Sequence, residues 1–409
     1  MEILPYIYLT YMFISLYMLS LFLLIYFQFR KDLFQYPESS KQYSISFIVP
    51  AYNEEKTIAD TIRHIFDINY KNILEVIVVN DKSSDNTINI IKQLTKKYPK
   101  IKVLDNKENL GKAGSLNRAL NISKGELVAV VDADSYPEKE SINKMIGFFE
   151  DEKVGAVTCP VLSRNRNKFF EKLQAIEYKV IAFSRKLLDY VDAIYVTPGP
   201  LALYRRKALI EIKGFDTKNL TEDIEATWHL TRDGWGRRMC LSTNVTTTVP
   251  TKFKDWFVQR RRWNIGGLQC IHKYRHSLGK KGMLGWFIIP FFILSTFLGL
   301  VGLSIFFYLL TSRIISKFLL TKYSIEVGNP ILTFDNFYIT PTILNYLGVV
   351  LFIFGLVFTL VILSVLKEKI LKKENLLNIP FYMTIYLIAY PFIMINAIWN
   401  LTRGKLAWR

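Results

Sequence analysis

The sequence predicts an α/β domain built on a doubly wound, mostly parallel sheet, joined to several α-helical membrane spans. Three observations predict it. From Ser44 onward, apolar runs ending in polar residues alternate with amphipathic stretches, the pattern of buried strands and the helices that cover them. Four apolar segments are each long enough to cross a hydrocarbon core of roughly 30 Å. Half of the 409 residues are hydrophobic and mean hydropathy is positive, which is unusual for a chain dissolved in water.

The apolar segments are residues 6–27, 283–310, 346–366 and 379–401. Arg30 and Lys31 follow the first, and no small-residue cleavage signature comes after it, so it reads as a retained anchor. The chain carries 53 Lys and Arg against 35 Asp and Glu, a formal net charge of +18. That excess falls beside the spans rather than on an aromatic-interleaved face, which points to the lipid bilayer and away from a nucleic-acid partner. The basic load places the polar region, about 30–282, in the cytoplasm of a multi-pass cell-membrane protein. Lys367, Lys369, Lys372 and Lys373 place a later loop on the same side. For the tail 402–409, counting spans gives the outside and its charges give the inside, and both stay open. The expected division is an anchor at 1–30, an α/β domain at 31–252, interfacial amphipathic helices at 253–282 and a transmembrane region at 283–409. Cys159, Cys240 and Cys270 have no CxxC spacing, and a reducing compartment is the plain reading.

Strands are expected at 44–50, 73–81, 101–106 and 126–134, and helices at 55–67, 87–97, 111–122 and 169–190. The first helix sets Ile58, Ile62, Ile65 and Phe66 on one face. Ligands of open α/β sheets bind beyond the carboxyl ends of the strands. At those ends stand Pro50-Ala51-Tyr52-Asn53-Glu54, then Asp81, then Asp132-Ala133-Asp134. Any one of these acids suits a turn, but three strand ends converging on one crevice favour a site. In an extended segment Asp132 and Asp134 project from the same face. Two such hard oxygen ligands suit Mg2+ or Mn2+ that also coordinates a diphosphate. Lys112 opens a helix near the same crevice. No GxGxxG follows the first strand, so the dinucleotide fingerprint is absent.

Read in order, VPAYNEEKTI, VVNDKSSDNT, ENLGKAGSLN and VDADS resemble the nucleotide-sugar half of family-2 glycosyltransferases. TPGPLALYRR, LTEDIEATWHLTRDGW and QRRRW resemble the acceptor half of the processive membrane members, which make cellulose, hyaluronan, chitin and poly-N-acetylglucosamine. The resemblance covers roughly 45–270 and implies a GT-A-like, Rossmann-type domain that inverts at the sugar. It implies that Asp81, Lys112, Asp132 and the turn Pro50, Ala51, Tyr52, Asn53, Glu54 bind the nucleotide, and that Asp134 binds Mg2+ or Mn2+. It makes Asp223 the general base within Thr221-Glu222-Asp223, and gives Gly199, Pro200, Gln259, Arg262 and Trp263 to the acceptor. The implied donor is a UDP-sugar, with a lean to UDP-N-acetylglucosamine. The implied acceptor is a growing polysaccharide, with coupled translocation and accessory membrane proteins compatible with the pattern.

Structural readings stand beside these. Thr221 fits a helix N-cap, with Glu222 and Asp223 as first-turn acids. Glu177 and Tyr178 fit either a site-facing or a core-facing helix. In VQRRRWNIGG, Arg262 falls to the site, while Arg260 and Arg261 read as a positive flank in contact with lipid. Two other functions stay open: a single transfer to a lipid acceptor, and a non-catalytic membrane-anchored nucleotide-binding protein.

Overall fold

The computed structural model describes residues 4–327, 343–366 and 373–404. Lys367, Lys369, Lys372 and residues 405–409 lie outside them, and with them the expected sidedness of that loop and tail. In chain order the elements are α1 (Leu4–Phe29), β1 (Ile45–Ala51), α2 (Ile58–Phe66), β2 (Ile73–Asn80), α3 (Thr87–Lys97), β3 (Ile101–Asp105), α4 (Gly111–Ile122), β4 (Leu127–Val130) and β5 (Ser135–Pro137). There follow α5 (Ser141–Ile146), β6 (Val154–Thr158), β7 (Val161–Ser163), α6 (Phe169–Asp189), β8 (Ala202–Arg205), α7 (Arg206–Glu211), α8 (Glu222–Arg232), β9 (Gly236–Met239) and β10 (Val245–Thr247). The chain then passes through α9 (Phe253–Tyr274), α10 (Ile289–Glu326), α11 (Ile343–Val365) and α12 (Lys373–Thr402).

Seven strands form one sheet in the order β3-β2-β1-β4-β8-β6-β9, in which only β8 runs against its neighbours. Both faces are covered at the centre of the sheet, so β1, β2 and β4 are mostly apolar rather than alternating. Phe47 and Val49 of β1 pack on one side with Ile58, Ile62 and Ile65 of α2. Ile48 between them packs on the other side with Leu116 and Leu120 of α4 and Leu230 of α8. Burying each of those isoleucines contributes about 1.5–3 kcal/mol, which fixes α2 against the sheet. A second sheet, β5-β10-β7, follows the turn after β4.

The fourth expected strand is shorter than the sequence suggests. It ends at Val130, and the backbone then turns, with the Ser135 N–H donating to the Asp132 carbonyl at 3.0 Å. Asp132 and Asp134 therefore sit on a turn, not on the extended segment that places i and i+2 on one face. The turn directs the chain from β4 into β5 and the second sheet.

Four helices are long and apolar enough to cross a membrane: 5–29, 284–323, 346–365 and 376–402. The second outruns its expected end at 310, because Arg313 and Lys317 end the apolar run without breaking the helix. These helices pack directly on the α/β domain. Ile25, Phe183 and Ile362 join α1, α6 and α11. Leu173, Trp256, Tyr386 and Ile393 join α6, α9 and α12. The domain rests on α6 and α9, the two helices that also form one side of the candidate site.

Candidate active site

The carboxyl ends of β1 and β2, the turn after β4, and helices α4, α6, α8 and α9 enclose a cavity of about 1400 Å³. It reaches from Pro50 and Asp81 at the sheet to Phe292, Thr296, Tyr390 and Met394 on the membrane-spanning helices.

At the sheet end, Pro50, Ala51, Tyr52 and Glu54 line the wall. Asn53 does not. It takes a left-handed φ of 57°, and its Oδ1 accepts from the Ser84 N–H at 2.8 Å while its own N–H donates to Ser83 Oγ at 3.0 Å. Asn53 thus ties the turn to the loop after β2. Asp81 lines the cavity and is also a framework residue: its Oδ1 accepts from the Leu110 N–H at 2.8 Å and from Asn106 at 2.7 Å.

At the centre, Lys112 in the first turn of α4 donates to Asp132 Oδ1 at 2.6 Å and to Glu222 Oε1 at 2.8 Å. One ammonium therefore joins the acid pair after β4 to the acids that open α8. Burial acts to lower it, but Asp132 and then Glu222 hold it well above the ordinary lysine range. The segment through Gly199 and Pro200 lies over this pair. A Cβ at residue 199 would stand 2.9 Å from Asp132 Oδ1 and collide with Lys112 Nζ, so a larger residue there would have to displace the two side chains of this pair.

Glu222 and Asp223 are adjacent, yet their surroundings push them apart. Burial would raise Glu222, but the Lys112 charge outweighs it and holds the group below the usual carboxylate range. Burial raises Asp223, and the Glu222 charge beside it adds to the rise. Neighbouring acids driven in opposite directions are the pattern of an ionised partner beside a proton-accepting group poised nearer neutrality. Thr221 precedes them at the N-cap position, but its hydroxyl donates to Asn219 Oδ1 at 3.1 Å and makes no cap bond. Thr221 is thus the N-cap residue by position, with its side chain engaged elsewhere.

Asp134 and Glu54 face the same space. Burial, then Asp132, pushes Asp134 up to about 6. Burial, and then the charges of Asp134 and Asp132 against the hydrogen bond from Thr57, takes Glu54 to about 7. A crowded acidic corner of this kind fits a divalent cation. Among the described residues no group of three or more His, Cys, Asp or Glu forms a complete metal site. The fit is therefore to an ion that takes its other oxygens from phosphate and water, as Mg2+ usually does.

Helix α9 brings Gln259, Arg262 and Trp263 to the cavity wall together, as spacings of three and four residues on one face require. Gly266 lets α9 approach this closely: a Cβ there would overlap the side chain of Thr221. Arg260 points elsewhere, and the flank reading fails for it. It is fully buried, its Nε donates to Glu177 Oε1 at 2.9 Å and an Nη to Glu177 Oε2. Tyr386 and Tyr390 of α12 donate to the same carboxylate at 2.8 and 2.7 Å. The guanidinium also lies 4.2 Å from the Trp263 ring centroid. The physical reason is direction: residue 260 faces α6 and α12 rather than lipid. Arg261 reaches Asn396 of α12 at 3.4 Å.

Tyr178, one of the pair read as site-facing or core-facing, lines the cavity, while the lining residues Ile181, Arg185 and Tyr195 escaped the sequence; Tyr178, Ile181 and Arg185 form one stripe of α6. The i, i+3, i+7 spacing was visible, but it reads equally well as a core face.

A family model described as "Glycosyltransferase like family 2" matches residues 42–266. Poly-beta-1,6-N-acetyl-D-glucosamine synthase of Staphylococcus aureus is 30% identical over 249 residues, 60% of this chain and 60% of that protein. The chain thus aligns with less than two thirds of the length of that relative. The synthase of the same name from Staphylococcus epidermidis is 30% identical over 287 residues, 69% of each chain. Among solved structures, the mannosyltransferase PcManGT from Pyrobaculum calidifontis, in complex with GDP-Man and Mn2+, superposes with a TM-score of 0.62. It is 19% identical and covers 96% of this chain and 98% of its own, a likeness of fold.

Proposed function

Because the chain belongs to the glycosyltransferase-like family 2, we propose that it is a membrane-bound inverting β-glycosyltransferase that extends a polysaccharide from a UDP-sugar, UDP-N-acetylglucosamine in particular. The observation that carries this reading is the continuity of the cavity. One space holds Asp132, Asp134, Lys112, Glu222, Asp223, Gln259, Arg262 and Trp263, and it runs on to residues of the membrane-spanning helices. The 30% identity to the two synthases supports the donor.

In this mechanism Pro50, Ala51, Tyr52 and Asp81 seat the nucleoside, and Lys112 faces the diphosphate. Asp134, with Asp132, would hold Mg2+ or Mn2+, which when bound offsets charge on the departing phosphate. Asp223 takes the proton from the acceptor hydroxyl as the new C1–O bond forms and the bond from C1 to the diphosphate oxygen breaks, releasing UDP. Glu222 stays ionised against Lys112 and keeps Asp223 basic. Trp263 offers a ring face to the acceptor sugar, and Gln259 and Arg262 offer donors to its oxygens or to the diphosphate. Residues 31–252 form the catalytic unit, 253–282 couple it to the bilayer, and the catalytic side faces the cytoplasm. Phe292, Thr296, Tyr390 and Met394 give the product a route toward the spans.

The test is purified full-length protein with Mg2+ or Mn2+ and a panel of UDP-sugars, read by UDP release and product size. UDP-N-acetylglucosamine should give a polymer ladder. A single added sugar would favour the lipid-acceptor reading, and no release with any donor would overturn catalysis. Asp223→Asn should bind UDP normally and lose about 10²–10⁴-fold in turnover.

A further inference from the structure

Arg185 is 5% exposed and lines the cavity, but it lacks the partners that buried arginines elsewhere in this chain possess. Arg260 has Glu177, and Arg237 donates to the carbonyls of Trp235 and Asp192 at 2.9 and 2.8 Å. The Nε of Arg185, like that of Arg237, has no hydrogen-bond partner; the difference lies in the Nη groups, which in Arg237 reach two carbonyls. Among the described residues no carboxylate lies within ion-pair distance of its guanidinium. Burial lowers it, opposed by the charges of Tyr195, Asp223 and Cys159. A buried cation left without a partner is costly to the fold, so a ligand that completes it is the natural reason for its presence.

The surroundings define that ligand. Ile181 and Tyr178, four and seven residues earlier on the same face of α6, are its neighbours along the wall, with Tyr195, Val196 and Ile224 beyond. Aromatic rings and aliphatic walls suit a sugar ring and a methyl group. The guanidinium suits a carbonyl oxygen carried beside that methyl group.

We propose that Arg185 is a specificity residue of the acceptor subsite, donating to the acyl carbonyl of an N-acylated acceptor sugar and rejecting a sugar whose nitrogen is a free ammonium. This rests on the transfer reaction proposed above. Beside Arg185 a free ammonium offers no acceptor oxygen and meets a like charge.

The experiment uses the full-length protein in lipid nanodiscs with UDP-N-acetylglucosamine as donor. The acceptors are a β-linked N-acetylglucosamine tetrasaccharide and its fully de-N-acetylated counterpart. Wild type should favour the acetylated acceptor by ~100-fold in kcat/KM. R185M should raise the acetylated acceptor's KM by about tenfold and collapse the preference to within about threefold. Its UDP affinity should hold and its unfolding midpoint should stay level or rise, since an unpaired buried charge has gone. R185K should keep the rejection of the ammonium. An unchanged preference in R185M, weakened UDP binding, or a fall in unfolding midpoint alongside activity would overturn the inference alone. A wild type inert toward every UDP-sugar would overturn the transfer reaction, and the inference with it.

Discussion

Two buried cations hold this molecule together at two places, and they are used differently. Lys112 joins Asp132 to Glu222 inside the cavity, within reach of any ligand that enters it. Arg260 and Glu177 do not line the cavity; they join α9 to α6 and, through the Tyr386 and Tyr390 hydroxyls, to α12. The first is placed to act on substrate and the second to fix the frame that presents Gln259, Arg262 and Trp263. An ion pair next to a site is therefore not of itself part of the chemistry. What separates the two is whether solvent and ligand reach the charge.

The largest effect should come from the frame. Arg260→Met leaves Glu177 buried and unpaired, and should lower folding stability by about 3–5 kcal/mol, read as a fall in unfolding midpoint in detergent or nanodiscs. Lys112→Met should instead cost ~10²–10³ in transfer rate with a smaller loss of stability, because Asp132 and Glu222 border a ligand-accessible cavity. If both variants lose stability equally, the contrast between frame and site fails. Gly199→Ala places a methyl against Lys112 and Asp132 and should reduce transfer by about tenfold or more, equivalent to roughly 1–3 kcal/mol of overpacking; kcat and UDP affinity measured together locate the damage.

A third buried acid sharpens the comparison through pH. Burial would raise Glu225, but hydrogen bonds from His229, Lys273 and Tyr274 outweigh it and hold the group at about 2. A depressed carboxylate contributes stability that is complete above its unfolded value near 4.5 and is lost as pH falls toward 2. The unfolding midpoint should decline across that window, and Glu225→Gln should flatten the decline. The smallest effect belongs to Arg261→Gln, expected within about 0.5 kcal/mol of wild type in stability and with near-normal transfer, since among the described residues its hydrogen bond is a 3.4 Å contact to Asn396.

Strands β1, β2 and β4 were legible because each is buried on both faces and writes a nearly continuous apolar run, whereas β6, β8 and β9 of the same sheet were not expected. The ends of β1 and β2 were found to within one residue. The spans were legible for the same reason of length and apolarity, except that α10 continues past Leu310, where hydropathy falls but helix propensity does not. What was missed depends on direction in space. Nothing local tells that the chain turns at Asp132, that the Thr221 hydroxyl prefers Asn219 to a cap bond, or that Asn53 serves the next loop. Three consecutive arginines look alike in sequence. Only the 100° step between helical neighbours, together with which elements surround α9, sends Arg260 to Glu177 and Arg262 to the cavity.

The seating of α12 on Glu177 also bears on how the protein can be handled. A fragment ending at residue 282 would keep the whole sheet, every acid of the site and all of α9. It would nevertheless strip the Tyr386 and Tyr390 hydroxyls from a buried carboxylate and bare Leu173, Ile176 and Trp256 to water. The part that looks like a self-sufficient soluble enzyme is thus an incomplete folding unit, with the bilayer-embedded helix as one wall of its own interior.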